Sequence, residues 1–186
     1  MAEYTKDWFT WNIPIWTEKL AKFKDGLDIK ALEIGCYEGR ATRWLLDNIL
    51  TKNMSHIYCV DPFLKNEEYK NEFLNTYNCF YENLKDVWDK ITLLKNYSQK
   101  IEFKKLPQMD IIYIDGSHKA SDCIYDMVNS FEILKNGGIM IMDDYNWDLD
   151  LPEIEKPKLA IDSFLTIYER KYIILEKGYQ MIIEKI

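Results

Sequence analysis

An α/β fold built on a doubly wound parallel sheet is predicted by three features of this 186-residue chain. Short apolar runs rich in β-formers recur along it, segments of helical periodicity alternate with them, and acidic side chains stand directly after several of the runs. The order βαβα calls for right-handed crossovers that cover both faces of one sheet. A hydrophobic content of 47%, with 15% aromatics, suffices for such a two-faced core, so residues 1–186 read as one domain.

The elements follow in order. ALEIG (31–35), HIYCV (56–60), ITLL (91–94), DIIYI (110–114) and GIMIM (138–142) have the near-continuous apolar character of strands buried on both faces. Ala41, Leu45 and Ile49 recur at helical spacing, as do Ile124, Val128 and Phe131, and then Ala160, Phe164 and Tyr168. YIILE (172–176) and YQMIIEKI (179–186), separated by Lys177 and Gly178, read as an antiparallel hairpin closing one edge. The least regular stretches are 1–13, 62–66 and 145–158, the last acidic, aromatic and interrupted by Pro152 and Pro157. No internal repeat or low-complexity linker is present.

Composition narrows the partners. A net charge of -7 argues against a broad phosphate-binding surface, so nucleic acid is not expected. Cys36, Cys59, Cys79 and Cys123 form no CxxC pair and no His/Cys pattern, which points to free thiols in a reducing, cytoplasmic setting. MAEYTKDWF lacks the basic and apolar regions of a signal peptide, and no run is long enough to span a bilayer, so no membrane association is expected.

Two groups of residues carry chemistry. In EIGCYEGR (33–40), Gly35 and Gly39 permit a tight turn and close approach of backbone to a ligand at a helix N-terminus. The spacing G-x-x-x-G, with an acid two residues earlier, departs from the dinucleotide fingerprint G-x-G-x-x-G, and that acid would repel a phosphate. Glu33 suits a cofactor ammonium and Asp61 a ribose diol, a pairing that favours S-adenosylmethionine over NAD. Each has a plainer alternative: glycines that merely end a strand, and an aspartate that opens a loop before Pro62.

The second group spans MDIIYIDGSH (109–118) and NGGIMIMDDY (136–145), where Asp115, His118, Asp143 and Asp144 follow strands and would share one crevice at their carboxyl ends. Carboxylates so crowded repel one another, whereas magnesium or manganese would hold them ionised, with the histidine beside them as a base. The alternatives are a solvated turn for the aspartate pair and a backbone-bonded helix start for His118. His56 reads as structural, and Lys95 to Lys105 as a solvated face. Tyr4, Trp8, Phe9, Trp11 and Trp16 read as core or subunit contacts, with acceptor binding the lesser alternative, while Tyr145 and Trp147 stand where an acceptor would rest.

EIGCYEGRATRWLL, CVDPF, IYIDGSH, LKNGGIMIMDDY and GYQMIIEKI, in this order and spacing, resemble the small class I S-adenosylmethionine-dependent methyltransferases of the Methyltransf_24 group over nearly the whole chain. NIPIW (12–16) is similar to their lead-in helix, which would occupy residues 1–28. The resemblance implies a Rossmann-like sheet of seven strands with the last antiparallel. It implies cofactor contacts from Glu33, Gly35, Cys36, Tyr37 and Gly39, from Asp61 at the ribose, from Asn96, Tyr97 and Ser98 on the adenine side, and from Asp115. Tyr37 stands where many class I enzymes carry a third glycine, a departure usual in this group. Similarity to metal-dependent O-methyltransferases of catechols and sugars further implies Asp115, Asp143 and Asp144 as metal ligands, with His118 and Asp115 catalytic. The implied activity is methyl transfer to a hydroxyl of a small acceptor, a sugar or glycan unit, by a chain that is compatible with a homo-oligomer. An NAD-type oxidoreductase and a non-catalytic binding protein of the same fold are the competing readings.

Overall fold

The structure, a computed structural model, describes residues 3–64, 75–147, 150 and 152–186. Five strands run parallel to one another: β1 (Lys30–Ile34), β2 (His56–Val60), β3 (Ile91–Leu94), β4 (Met109–Ile114) and β5 (Leu134–Met142). β6 (Tyr172–Lys177) and β7 (Met181–Lys185) form the expected hairpin, and the seven strands join in the order β3-β2-β1-β4-β5-β7-β6. β7 runs antiparallel to β5 and lies inside the sheet, leaving β6 at the edge. The burial pattern explains this placement: Met181, Ile182 and Ile183 are fully buried, whereas β6 leaves Ile173 and Ile174 about half exposed.

Side chains alternate across the sheet and feed two cores. On β4, Ile111 and Tyr113 enter one core with Leu45 of α2 (Arg40–Asn48), Trp16 of α1 (Ile13–Lys19) and Phe80 of α3 (Thr76–Leu84). Ile112 and Ile114 face the other, with Phe131 of α4 (Ala120–Ile133) and Phe164 of α5 (Pro157–Ile167). From β1 the chain winds outward to β2 and β3, then returns across β1 to β4 and β5. That reversal opens a crevice above the carboxyl ends of β1 and β4.

Several elements differ from the sequence reading. β5 begins at Leu134, four residues before GIMIM, because Leu134 already pairs with Met109; the register then shifts, and Gly137 takes a φ of +77°. α3 was not foreseen, since the apolar signal of TYNCFYENL is weak and it buries Thr76 and Asn83 beside Phe80 and Leu84. The N-terminal stretch holds a 3-10 turn at Thr10–Asn12 before α1, with Pro14 in the first helical turn. Of the irregular stretches, residues 1–2, 65–66, 148–149 and 151 lie outside the described residues. His56 sits at the N-terminal end of β2, 2.8 Å from Thr92 Oγ1 and remote from the crevice. Among the described residues no helix is long and apolar enough to cross a membrane.

Candidate active site above the parallel strands

The turn after β1 is shaped by three residues with left-handed backbones: Gly35 at φ +85°, Tyr37 at +46° and Gly39 at +81°. A Cβ on Gly35 would lie 1.9 Å from the carbonyl oxygen of Asp115, so only glycine lets the ends of β1 and β4 approach this closely. Asp61, at the end of β2, ties the turn down. Its Oδ2 accepts from the backbone N–H of Cys36 (2.8 Å) and Tyr37 (3.1 Å), and its Oδ1 from Phe63 (2.7 Å). Burial raises the Asp61 pKa, and these three N–H groups work against the shift. Tyr37 keeps its unusual backbone under cover, its ring 5.0 Å from that of Trp8 and its hydroxyl 2.9 Å from Thr5 Oγ1.

Glu33 forms the floor. It is 1% exposed, accepts a 2.6 Å hydrogen bond from Thr42 Oγ1, and is pushed by burial up to about 8. Its carboxylate lies within 4.8 Å of the Cys36 and Cys59 thiols. On the far side, Ser98 is buried and Tyr97 half exposed, next to the buried Asp126, whose carboxyl is pushed up to about 7, chiefly by burial. Glu33, Gly35, Asp61, Ser98, Asp126 and Asp115 line one continuous cleft of ≈ 790 Å³, within the range of cofactor sites.

The acids after β4 and β5 divide into two roles. Asp115, His118 and Asp144 offer ligand atoms that all lie within 4.8 Å of one another. His118 Nε2 is 3.1 Å from Asp144 Oδ2, the hydroxyl of Tyr179 donates to Asp144 Oδ1 at 2.8 Å, and the Trp147 ring lies 4.3 Å from the imidazole. Asp143 is not part of this convergence. It turns inward, 8% exposed, and is hydrogen-bonded to the Tyr113 hydroxyl, to Gln180 Nε2 (3.1 Å) and to the backbone of Asp144 (2.8 Å). Asp144 has a φ of +58°, the sharp turn that sends the two adjacent carboxylates in different directions. Burial raises the Asp115 carboxyl well above its ordinary range, and the charges of Asp143 and Asp144 add to the effect.

Four contributors escaped the sequence reading. Tyr113 touches both Asp115 (2.7 Å) and Asp143, a position that period-two counting back from Asp115 would have reached. Tyr179 and Gln180 enter because β7 pairs with β5 in the register Met142↔Met181, which brings the hairpin turn beside the aspartates. Asp126 carries no strand-end signal, since it lies within α4. Tyr145, by contrast, faces away: it is buried, donating to Asp162 Oδ1 at 2.9 Å with the Lys158 ammonium over its ring.

Residues 32–145 match the Methyltransf_24 family, described as a methyltransferase domain. An uncharacterized protein of Acanthamoeba polyphaga mimivirus is 27% identical over 135 residues, covering 69% of this chain and 57% of that protein, so the chain spans little more than half of that relative's length. Among solved structures, an O-methyltransferase from Bacillus cereus in complex with S-adenosylhomocysteine superposes with a TM-score of 0.67 at 14% identity, covering 99% of this chain and 84% of that one. MycE methyltransferase of the mycinamycin biosynthetic pathway, in complex with magnesium, S-adenosylhomocysteine and mycinamycin VI, gives 0.66 at 16% identity over 97% of this chain and 50% of its own. An rRNA methylase from Streptococcus thermophilus gives 0.65 at 12% identity, covering 99% of each. Identities this low establish a shared fold and nothing about the acceptor.

Proposed function

The chain belongs to the Methyltransf_24 family of S-adenosylmethionine-dependent methyltransferases, and from that premise we propose that it methylates a hydroxyl of a small ring-shaped acceptor, a sugar or glycan unit, with magnesium or manganese assisting. The observation that carries this reading is the convergence of Asp115, His118 and Asp144 beside the cleft that also holds the glycine turn. The donor set suits such an ion. The carboxylates of Asp115 and Asp144, with water completing the shell and His118 beside them rather than coordinated, fit manganese or magnesium, and the pressure toward protonation at Asp115 is what a divalent cation would relieve. When bound, the ion would lower the pKa of an acceptor hydroxyl.

The chain's own residues do the rest. Glu33, once ionised, partners the cofactor ammonium, and Asp61, while pinning the turn, keeps a free lone pair for the ribose. His118 takes the acceptor proton, and Asp144 aligns its imidazole. Asp143, Tyr113 and Gln180 brace the ends of β4 and β5 so that oxygen, carbon and sulfur meet in line. Acidic side chains outnumber lysine and arginine seven to three among the described lining residues, which favours the cationic sulfonium donor over its neutral product and opposes a polyanionic acceptor such as RNA. The oxidoreductase reading has no support: the glycine spacing lacks the dinucleotide fingerprint, and the family matched is one of methyltransferases. Four free thiols are consistent with work in the cytoplasm.

The test uses radiolabelled S-adenosylmethionine and a panel of glycosides and catechols. His118→Ala and His118→Gln should lose about 10² to 10⁴ in turnover with cofactor affinity unchanged, and chelation should halt transfer without releasing the cofactor. Near-normal turnover in both variants, with the wild-type pH profile, would assign the base to an aspartate; full activity after exhaustive chelation would remove the ion.

A further inference from the structure

The N-terminal segment lines the cleft through Lys6, Trp8, Phe9 and Trp11 and is anchored on both sides of them. At the glycine turn, Thr5 donates through its backbone N–H to Glu38 Oε2 (2.7 Å) and through its hydroxyl to Oε1 (2.8 Å), and Asp7 lies 3.2 Å from the Arg40 guanidinium. At the acid cluster, Trp16 is fully buried with its ring 4.7 Å from Tyr113, and its Nε1 donates at 2.7 Å to Gln180, the residue that holds Asp143. The segment between these anchors therefore runs along the cleft from the cofactor turn to the residues that hold the strand-end acids.

The tryptophans of this segment are not all used in the same way. Phe9 and Trp16 are buried and pack edge to face at 4.9 Å, which satisfies the apolar core beneath. Trp8 and Trp11 instead leave 44% and 54% of their surface exposed, and both line the same cleft as Asp115, His118 and Trp147. Half-exposed indoles on a cleft wall offer flat apolar faces on which a ring can stack. Of the two uses the sequence allows them, core or subunit contact and acceptor binding, their exposure on the cleft favours the second.

We propose that Trp8 and Trp11 form the acceptor-binding wall, stacking on the flat face of a ring that presents its hydroxyl to Asp115 and His118. This rests on the methyl-transfer reading above and deepens it, because it makes the acceptor a ring with a stackable face and adjacent hydroxyls. A pyranoside and a catechol share that chemistry. The anchoring at Glu38 couples the wall to the cofactor turn.

Saturation-transfer NMR tests this without turnover, using methyl glucopyranoside and catechol as probes on protein loaded with S-adenosylhomocysteine. Wild-type protein should transfer saturation to the ring protons of one probe, the pyranoside if the acceptor is a sugar and catechol if it is an aryl diol. Trp11→Ala should weaken that probe's binding by about five- to ten-fold, Trp11→Phe should restore most of it, and S-adenosylhomocysteine affinity should stay within about two-fold in both. Equal probe binding by wild type and Trp11→Ala, or binding of neither probe to wild type, overturns the wall. Failure of S-adenosylhomocysteine to bind wild type would instead defeat the methyl-transfer reading, and the probes would then be read on the unloaded protein.

Discussion

Glu33 holds the most direct link between burial and function. Its pKa is raised from an ordinary 4.5 to about 8, so below pH 8 the free protein keeps this carboxyl neutral, while a cofactor ammonium requires it ionised. Binding must then expel a proton. Affinity for S-adenosylmethionine should tighten as pH rises toward 8, by up to about ten-fold per unit, and turn over above it as the cofactor's own amine, near pKa 7.7 to 8.0, loses its charge. Calorimetry in two buffers of different ionisation enthalpy would read the released proton directly, and Glu33→Gln should abolish both the release and the rising limb. A flat affinity from pH 6 to 8 would remove Glu33 from the ammonium site. At this scale the sequence was legible where strand ends carry acids, as at Asp61, Asp115 and Asp144. It was not legible between Asp143 and Asp144, because the left-handed backbone of Asp144 and the partners Tyr113 and Gln180, which choose the inward carboxylate, arise only when distant strands meet.

Among the elements, the glycine turn and the strand it follows show how one position can constrain two strands. Gly35 and Gly137 have nearly the same φ, +85° and +77°, but a Cβ on Gly35 would strike the backbone of Asp115, whereas one on Gly137 would meet nothing within 4 Å. Urea unfolding of the two alanine variants should separate backbone strain from close approach. Gly137→Ala should cost about 1 to 2 kcal/mol for the left-handed conformation alone, and Gly35→Ala roughly 2 to 5 kcal/mol once the overpacked contact is added. Equal costs would mean that the turn needs glycine only for its dihedral angle. The central parallel strands β1, β4 and β5 were readable because burial on both faces imposes continuous apolar runs. α3 and the early start of β5 were not, since TYNCFYENL packs through Phe80 and Leu84 among polar neighbours and Leu134 joins β5 only by pairing with Met109 across a register shift.

For the whole molecule, strand order brings chemistry from distant parts of the chain to one place. The reversal between β1 and β4 sets the cofactor turn beside the acids, and the inward position of β7 delivers Tyr179 and Gln180 to them from the far end of the sequence. Periodicity predicted the hairpin, but its insertion beside β5 follows from the buried run Met181 to Ile183, which an edge position would have left in water. The resulting cleft is acid-rich and bounded by aromatic rings, a lining suited to a cationic donor, a divalent ion and a flat acceptor. Diffraction from crystals grown with S-adenosylhomocysteine and manganese, recorded at a wavelength where manganese scatters anomalously, tests this directly. The predicted result is S-adenosylhomocysteine in the cleft, its homocysteine amine at Glu33 and its ribose at Asp61, with an anomalous peak between Asp115 and Asp144 beside His118. An empty cleft, or manganese bound elsewhere with Asp115 and Asp144 unliganded, would contradict the account.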